Sequence, residues 1–238
     1  MDFRKEAARI ASTNVEENTT VGLGDGSTVR LLAEYLIERV NEGLEIRLYT
    51  SSLQTLEFLR RRDVLVNDIS DTDTLDIYFD GCDQIDDQLN ALKSGSGIHT
   101  MEKLLASMAK KFVIIGDESK FVQRLDPKFP LVLEVLPLAV GYVQRMMSSL
   151  YPVSVLAVRL LPDQEYEPVL TRNGNLLLDC HFQEWPELED LQVQCKKITG
   201  IVEISLFYQM VDEAIIAGRD GISLYARIDG QILLLQTI

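Results

Sequence analysis

Histidine, cysteine and tryptophan are scarce in this chain, at two, three and one among 238 residues. Cys82, Cys180 and Cys195 are odd in number and far apart, which fits neither a disulfide framework nor a metal knuckle. Basic residues are also in deficit, 23 against 37 acidic ones, for a net charge of −14. That field repels a nucleic-acid backbone and no basic stripe overrides it, so no nucleic-acid partner is expected. No run of 18 apolar residues occurs, so no membrane span is expected. The N-terminal MDFRKEAARIAS is charged and has no apolar h-region, so no secretory signal is expected and the cytoplasm is the expected compartment. No internal repeat and no low-complexity segment stands out. What remains is ordinary globular material, 46% hydrophobic and 25% charged, enough for one large domain or two modest ones.

Apolar periodicity predicts helices over 2–13, 29–41, 53–61, 138–150 and 187–197, and another after Glu102. Short apolar runs predict strands at 20–24, 45–49, 77–79, 112–116, 153–160, 176–182, 201–206 and 213–217. Asp229-Gly230 should turn a hairpin between 222–227 and 231–235. Segment 63–76 is rich in acids and reads as a solvated loop. The alternation of strand and helix in the first half predicts a parallel sheet with helices on both faces. A β-α-β-β-α pattern after residue 128 predicts a small split α/β unit. The expected fold is therefore α/β: a Rossmann-like parallel-sheet domain, 1–127 with 204–238, and an inserted smaller ferredoxin-like α/β domain, 128–203.

In parallel α/β sheets ligands bind beyond the carboxyl ends of the strands. The chemistry-bearing residues fall at such ends, after Gly24, Phe79 and Gly116. The segment 76–103, DIYFDGCDQIDDQLNALKSGSGIHTMEK, holds Asp80 and Asp83, then Lys93, a Ser-Gly-Ser-Gly run and Glu102. Moving a proton α to a carbonyl needs a carboxylate near the carbon and a cation on the oxygen. The turn GLGDGST (22–28) joins a strand to a helix N-terminus, where backbone N–H groups and the hydroxyls of Ser27 and Thr28 suit an anion. It lacks the third glycine of a dinucleotide fingerprint, and such turns also merely connect β to α. Plainer readings exist for the others. Aspartates often cap turns, Lys120 alone is a surface lysine, and Arg4 and Lys5 lie on a solvated helix face. His99 and His181 read as structural, Cys82 as a small buried residue, and Asn173-Gly174 as turn formers.

The ordered set of motifs resembles type A ribose-5-phosphate isomerase over nearly the whole chain. The matching pieces are GLGDGST (22–28), DGCDQI (80–85), KSGSG (93–97), Glu102-Lys103, DESK (117–120), FPLVLEV (129–135), TRNGN (171–175), DCHF (179–182) and GIVEISLF (200–207). The resemblance implies an aldose–ketose isomerase of the pentose phosphate pathway, without metal or other cofactor, acting on a sugar phosphate as a homodimer or dimer of dimers. It implies Glu102 as the base, Asp80 and Asp83 as binders of sugar hydroxyls that help open the ring, and Lys93 as the holder of negative charge on the carbonyl oxygen. Asp25, Gly26, Ser27, Thr28, Lys120 and Arg4 would surround the phosphate. Gly81, Cys82, Ser94, Gly95 and Ser96 would line the sugar, with backbone N–H groups near Ser94 and Ser96 approaching it. The family pattern is broken at Asp25 (usually threonine), Gln84 (glutamate), Ser94 and Ser96 (glycine), Met101 (arginine) and Ser205 (glycine). Asp25 is the sharpest departure, because two unit charges about 4 Å apart repel by roughly 1–4 kcal/mol between water and an effective dielectric near 20. Asp25 either weakens phosphate binding or turns away to cap its own helix; the alternatives to this isomerase are a paralogue acting on a different sugar or sugar phosphate, and a non-catalytic sugar-phosphate sensor, against which Glu102, Lys93 and both aspartates argue.

Overall fold

The computed structural model describes residues 3–152, 154–164 and 166–237. The expected first helical residue, Asp2, and the expected strand start, Val153, lie outside them. The first half runs α1 (Phe3–Thr13), β1 (Thr19–Leu23), α2 (Ser27–Asn41), β2 (Ile46–Thr50), α3 (Leu53–Arg60) and β3 (Ile77–Asp80). Then come β4 (Gln84–Asp86), β5 (Ala91–Leu92), α4 (His99–Met108), β6 (Phe112–Asp117) and β7 (Phe121–Val122). The next stretch is β8 (Leu131–Val135), α5 (Val140–Leu150), β9 (Val155–Val158), β10 (Leu176–His181), α6 (Leu188–Lys197) and β11 (Ile201–Ile204). The chain ends with β12 (Leu206–Phe207), β13 (Glu213–Gly218), β14 (Gly221–Ile228) and β15 (Gln231–Thr237).

The fold is mixed α/β around a seven-stranded sheet of order β15-β14-β13-β6-β3-β1-β2. Strands β2, β1, β3, β6 and β13 are parallel, as expected, and the β14–β15 hairpin extends the sheet antiparallel. From β1 the chain runs outward to β2 and then returns past β1 to β3 and on to β6, so the strand order reverses between β1 and β3 and a crevice opens at their carboxyl ends. Side chains of β3 alternate between the faces. Ile77 and Phe79 enter the core with α1 and α2, whereas Tyr78 packs with Leu105 and Ala106 of α4. Asp80, two residues after Tyr78, shares Tyr78's face.

A second sheet, β11-β8-β10-β9, is antiparallel throughout and carries α5 and α6 through Val143, Met147, Leu191 and Cys195. This β-α-β-β-α-β order is the ferredoxin-like one. The expected strand over 201–206 divides here: Ile201–Ile204 pairs with β8, and Leu206–Phe207 crosses to β5 in a third sheet, β12-β5-β4-β7. That third sheet places strands between Phe79 and Phe112, where none is expected from the sequence. Its strands are only two or three residues long, too short for a periodicity to register.

Helix α2 begins at Ser27, two residues before expectation, because Gly26 takes the N-cap at φ +111 with no side-chain cap. Gly26 therefore needs to be glycine for its backbone. Helix α4 begins at His99, so Glu102 lies in its first turn. Segment 63–76 is largely exposed, as expected, but contains a 3-10 turn at Ile69–Asp71 and a bridge from Val66 to Leu48.

Candidate active site

At the carboxyl ends of β1, β3 and β6 lies a cavity of about 170 Å³. It is bordered by Asp25, Gly26, Ser27 and Thr28 from the first turn, and by Gly81, Cys82 and Asp83 from the second. Lys93, Ser96, Glu102 and Lys120 complete the polar lining. Elements distant in sequence thus bring eleven of the fifteen expected residues to one space. Asp80, Ser94, Gly95 and Arg4 do not border it. Arg4 sits at the exposed start of α1.

The floor is a buried charge cluster. Lys93 Nζ lies 3.0 Å from Asp80 Oδ2 and 3.3 Å from Glu102 Oε1, and donates to the carbonyl of Gly81 at 2.5 Å. All three side chains are almost wholly inaccessible. Burial opposes the charge on Lys93, but Asp80 and Glu102 more than offset it, and its pKa is raised. Burial also pushes Glu102 up, to about 8, against the pull of Lys93 and with help from Asp80 and Asp25. Neither Glu102 oxygen has a hydrogen-bond partner. Buried polar atoms are normally hydrogen-bonded, so a carboxylate held by the Lys93 ion pair alone and bordering a cavity keeps its acceptor capacity for a ligand.

Asp80 is saturated. Its Oδ1 accepts from the backbone N–H of Gly81 at 2.7 Å and of Asp25 at 3.1 Å. Its Oδ2 accepts from the Tyr78 hydroxyl at 2.6 Å. A Cβ on Gly24 would stand 2.1 Å from that carboxyl group. Gly24 is therefore required by Asp80's place against β1. Gly24→Ala is expected to cost about 1–3 kcal/mol and to cut activity by displacing Asp80 from Lys93. A melting curve and an assay on the purified variant check this.

Asp83 borders the cavity, while its Oδ2 accepts from the amides of Ser94 at 2.6 Å and Gly95 at 2.8 Å. Those two amides are therefore spent on Asp83, while Ser96, further along the same loop, borders the cavity. Asp25 neither points freely at the anion site nor caps α2. Its Oδ1 accepts from the Ser52 hydroxyl at 2.8 Å, and Ser52 Oγ in turn accepts from the Thr55 amide, capping α3. Burial raises the Cys82 thiol to about 12, so it is a poor nucleophile.

His99 is buried with Nε2 3.3 Å from the Glu203 carbonyl, and burial lowers it to about 4, as a packing residue. Other departures are structural too. Gln84 Oε1 accepts from the Asp126 amide, Ser205 Oγ accepts from the Val132 amide, and Met101 borders a separate groove of about 690 Å³. Lys103, beside Glu102, anchors α4 by donating to Glu203 and to the carbonyls of Ile204 and Leu206.

Sequence reasoning, which allows Ser52 as a cap of the helix over 53–61, missed its bond to Asp25, and missed Tyr78, Glu134 and Arg159. Tyr78 was readable, since strand alternation puts it on the face of Asp80. Glu134 accepts from Thr171, Asn173, Asn175 and Thr100, which gives the TRNGN turn a purpose beyond turning. Nothing local signalled Arg159, whose partners in the 94–95 loop are 64 and 65 residues away.

The profile of ribose 5-phosphate isomerase A (phosphoriboisomerase A) matches residues 47–221. The chain belongs to the ribose 5-phosphate isomerase A family. It is 36% identical over 221 residues to "Ribose-5-phosphate isomerase A 1" of Oceanobacillus iheyensis, covering 92% of this chain and 96% of that one. It is 37% identical to the Archaeoglobus fulgidus protein, covering 89% and 93%. The solved ribose 5-phosphate isomerase A of Methanocaldococcus jannaschii superposes with a TM-score of 0.86 at 30% identity, over 94% of this chain and 98% of that one. A ribose-5-phosphate isomerase solved with phospho-erythronic acid superposes with a TM-score of 0.88 at 28% identity, over 95% and 98%. Asp25, Gln84 and Ser205, three positions expected to depart from the family pattern, each make a hydrogen bond inside the fold.

Proposed function

We propose that the protein interconverts D-ribose 5-phosphate and D-ribulose 5-phosphate through an enediolate. The observation that carries this reading is the buried carboxylate of Glu102, ion-paired with the Lys93 ammonium but without a hydrogen bond, bordering a cavity that begins at a helix N-terminus. Glu102 removes the C2 proton of the open-chain aldose and returns it to C1, while the hydroxyl proton passes from O2 to O1. Lys93 stabilises the negative charge that develops on oxygen. A base with a pKa near 8 is matched to reaction near neutral pH.

The phosphate sits at the start of α2, on backbone N–H groups and the hydroxyls of Ser27 and Thr28, with Lys120 opposite. Asp25 is held by Ser52, which limits its repulsion of that phosphate. Asp80, saturated by Tyr78, Lys93 and two amides, acts as a positioning residue for Lys93 instead of binding sugar hydroxyls. Asp83, Gly81, Cys82 and Ser96 border the sugar. Phospho-erythronic acid, bound by one relative, pairs a phosphate with a carboxylate, the two anionic ends that this arrangement suits.

In this reading residues 1–127 with 204–238 form the catalytic domain, 128–203 form the smaller one, and the enzyme works in the pentose phosphate pathway as a cytoplasmic homodimer or dimer of dimers. No metal or cofactor takes part. Purified protein given ribose 5-phosphate in EDTA is expected to form ribulose 5-phosphate at the rate seen without chelator. A folded protein that forms none, or one that EDTA silences, contradicts the reading.

A further inference from the structure

Arg159 follows β9 in the small sheet, yet its guanidinium reaches the loop between Lys93 and α4. Nη2 donates to the Ser94 carbonyl at 2.8 Å and Nη1 to the Gly95 carbonyl at 3.2 Å. Asp83 takes the two amides of the same residues from the other side. Residues 94 and 95 are thus pinned by a carboxylate through their amides and by a cation through their carbonyls. Arg159 is itself fixed by Asp179 of β10, with Nε at 3.1 Å from both oxygens and Nη2 at 2.6 Å from Oδ1. A planar fork held this way has one orientation, which a lysine cannot reproduce. Gly97, at φ +70, packs so closely on β10 that a Cβ there would lie 2.6 Å from Leu177 Cδ1. The loop's position is therefore set by β9 and β10, while the side-chain hydrogen bonds of Arg159 go to Asp179, Ser94 and Gly95 and not to Lys93, Asp80 or Glu102.

We infer that Arg159, oriented by Asp179, is a positioning residue for substrate binding: it acts through the carbonyls of Ser94 and Gly95 to hold Ser96 against the sugar end of the cavity. This rests on the isomerase reading above. Because the proton-transfer groups are held independently, loosening the loop changes KM more than kcat.

The test compares Arg159→Met, Arg159→Lys and Asp179→Asn with the unaltered enzyme on ribose 5-phosphate. Arg159→Met is expected to raise KM roughly tenfold, the size of losing one charge-assisted hydrogen bond, with kcat within about twofold. Arg159→Lys keeps the charge beside Asp179 but loses the fork, and is expected to raise KM in the same direction; it carries the test if Arg159→Met does not fold. Arg159→Met combined with Asp179→Asn should match Arg159→Met alone, since coupled residues are not additive. Hydrogen exchange should quicken in 94–97 and stay slow in β8. Unchanged KM in Arg159→Lys, or kcat and kcat/KM falling equally, overturns the inference. An inactive unaltered enzyme would instead overturn the isomerase reading itself, so the two failures are distinguishable.

Discussion

Glu102→Gln is expected to lower kcat by about 10²–10⁴-fold, the usual contribution of a positioned base. The amide keeps the shape of the side chain but cannot accept the C2 proton. The same change is expected to stabilise the fold near neutral pH. The folded pKa of Glu102, about 8, lies above its ordinary value of 4.5. A raised carboxylate contributes stability that is fully present below the unfolded pKa and is lost as pH rises through the folded one. The unaltered protein should therefore lose stability relative to Glu102→Gln between about pH 4.5 and 8, and melting temperatures measured across that window check it. Over the upper part of that window kcat/KM should climb, because the free enzyme's base becomes ionised. A residue that weakens the fold where it works is the usual signature of a site kept for chemistry.

Lys93→Met has the second large effect, on two readouts at once. Removing the donor that faces the developing oxyanion is expected to lower kcat by about 10²–10³-fold. It also strands Asp80 and Glu102 as buried neighbours with no cation between them. Breaking a buried pair by removing one partner costs about 3–5 kcal/mol, which for a chain of this size lowers Tm by about 6–20 °C. A Lys93→Met protein that melts with the unaltered one would mean that the cluster is not coupled as its distances imply.

The parallel sheet and the meeting of the 22–28, 80–83, 93–96 and 117–120 segments followed from the strand–helix order, because carboxyl-end loops of neighbouring strands converge. The glycines followed less well. Gly24 reads as a flexible turn residue, but it is required by the Asp80 carboxyl group 2.1 Å from where its Cβ would lie. Asp25 could not be placed either. Its partner, Ser52, belongs to the next strand–helix turn, 27 residues on, and only tertiary packing decides whether a carboxylate faces a ligand or a hydroxyl. The roles of Asp80 and Asp83 were blurred for the same reason. Both sit in one turn, three residues apart, yet one is saturated beneath the cavity and the other borders it. Arg159 lay beyond local reasoning altogether, since its partners in the loop are 64 and 65 residues away and belong to another sheet's surroundings.

The most direct measurement is proton NMR of ribose 5-phosphate with the purified protein in D2O, beside Glu102→Gln. The account requires ribulose 5-phosphate to appear with solvent deuterium incorporated at C1, and both product and label to vanish with Glu102→Gln. Turnover that survives Glu102→Gln undiminished, or a folded unaltered protein that leaves the substrate unchanged, would contradict it.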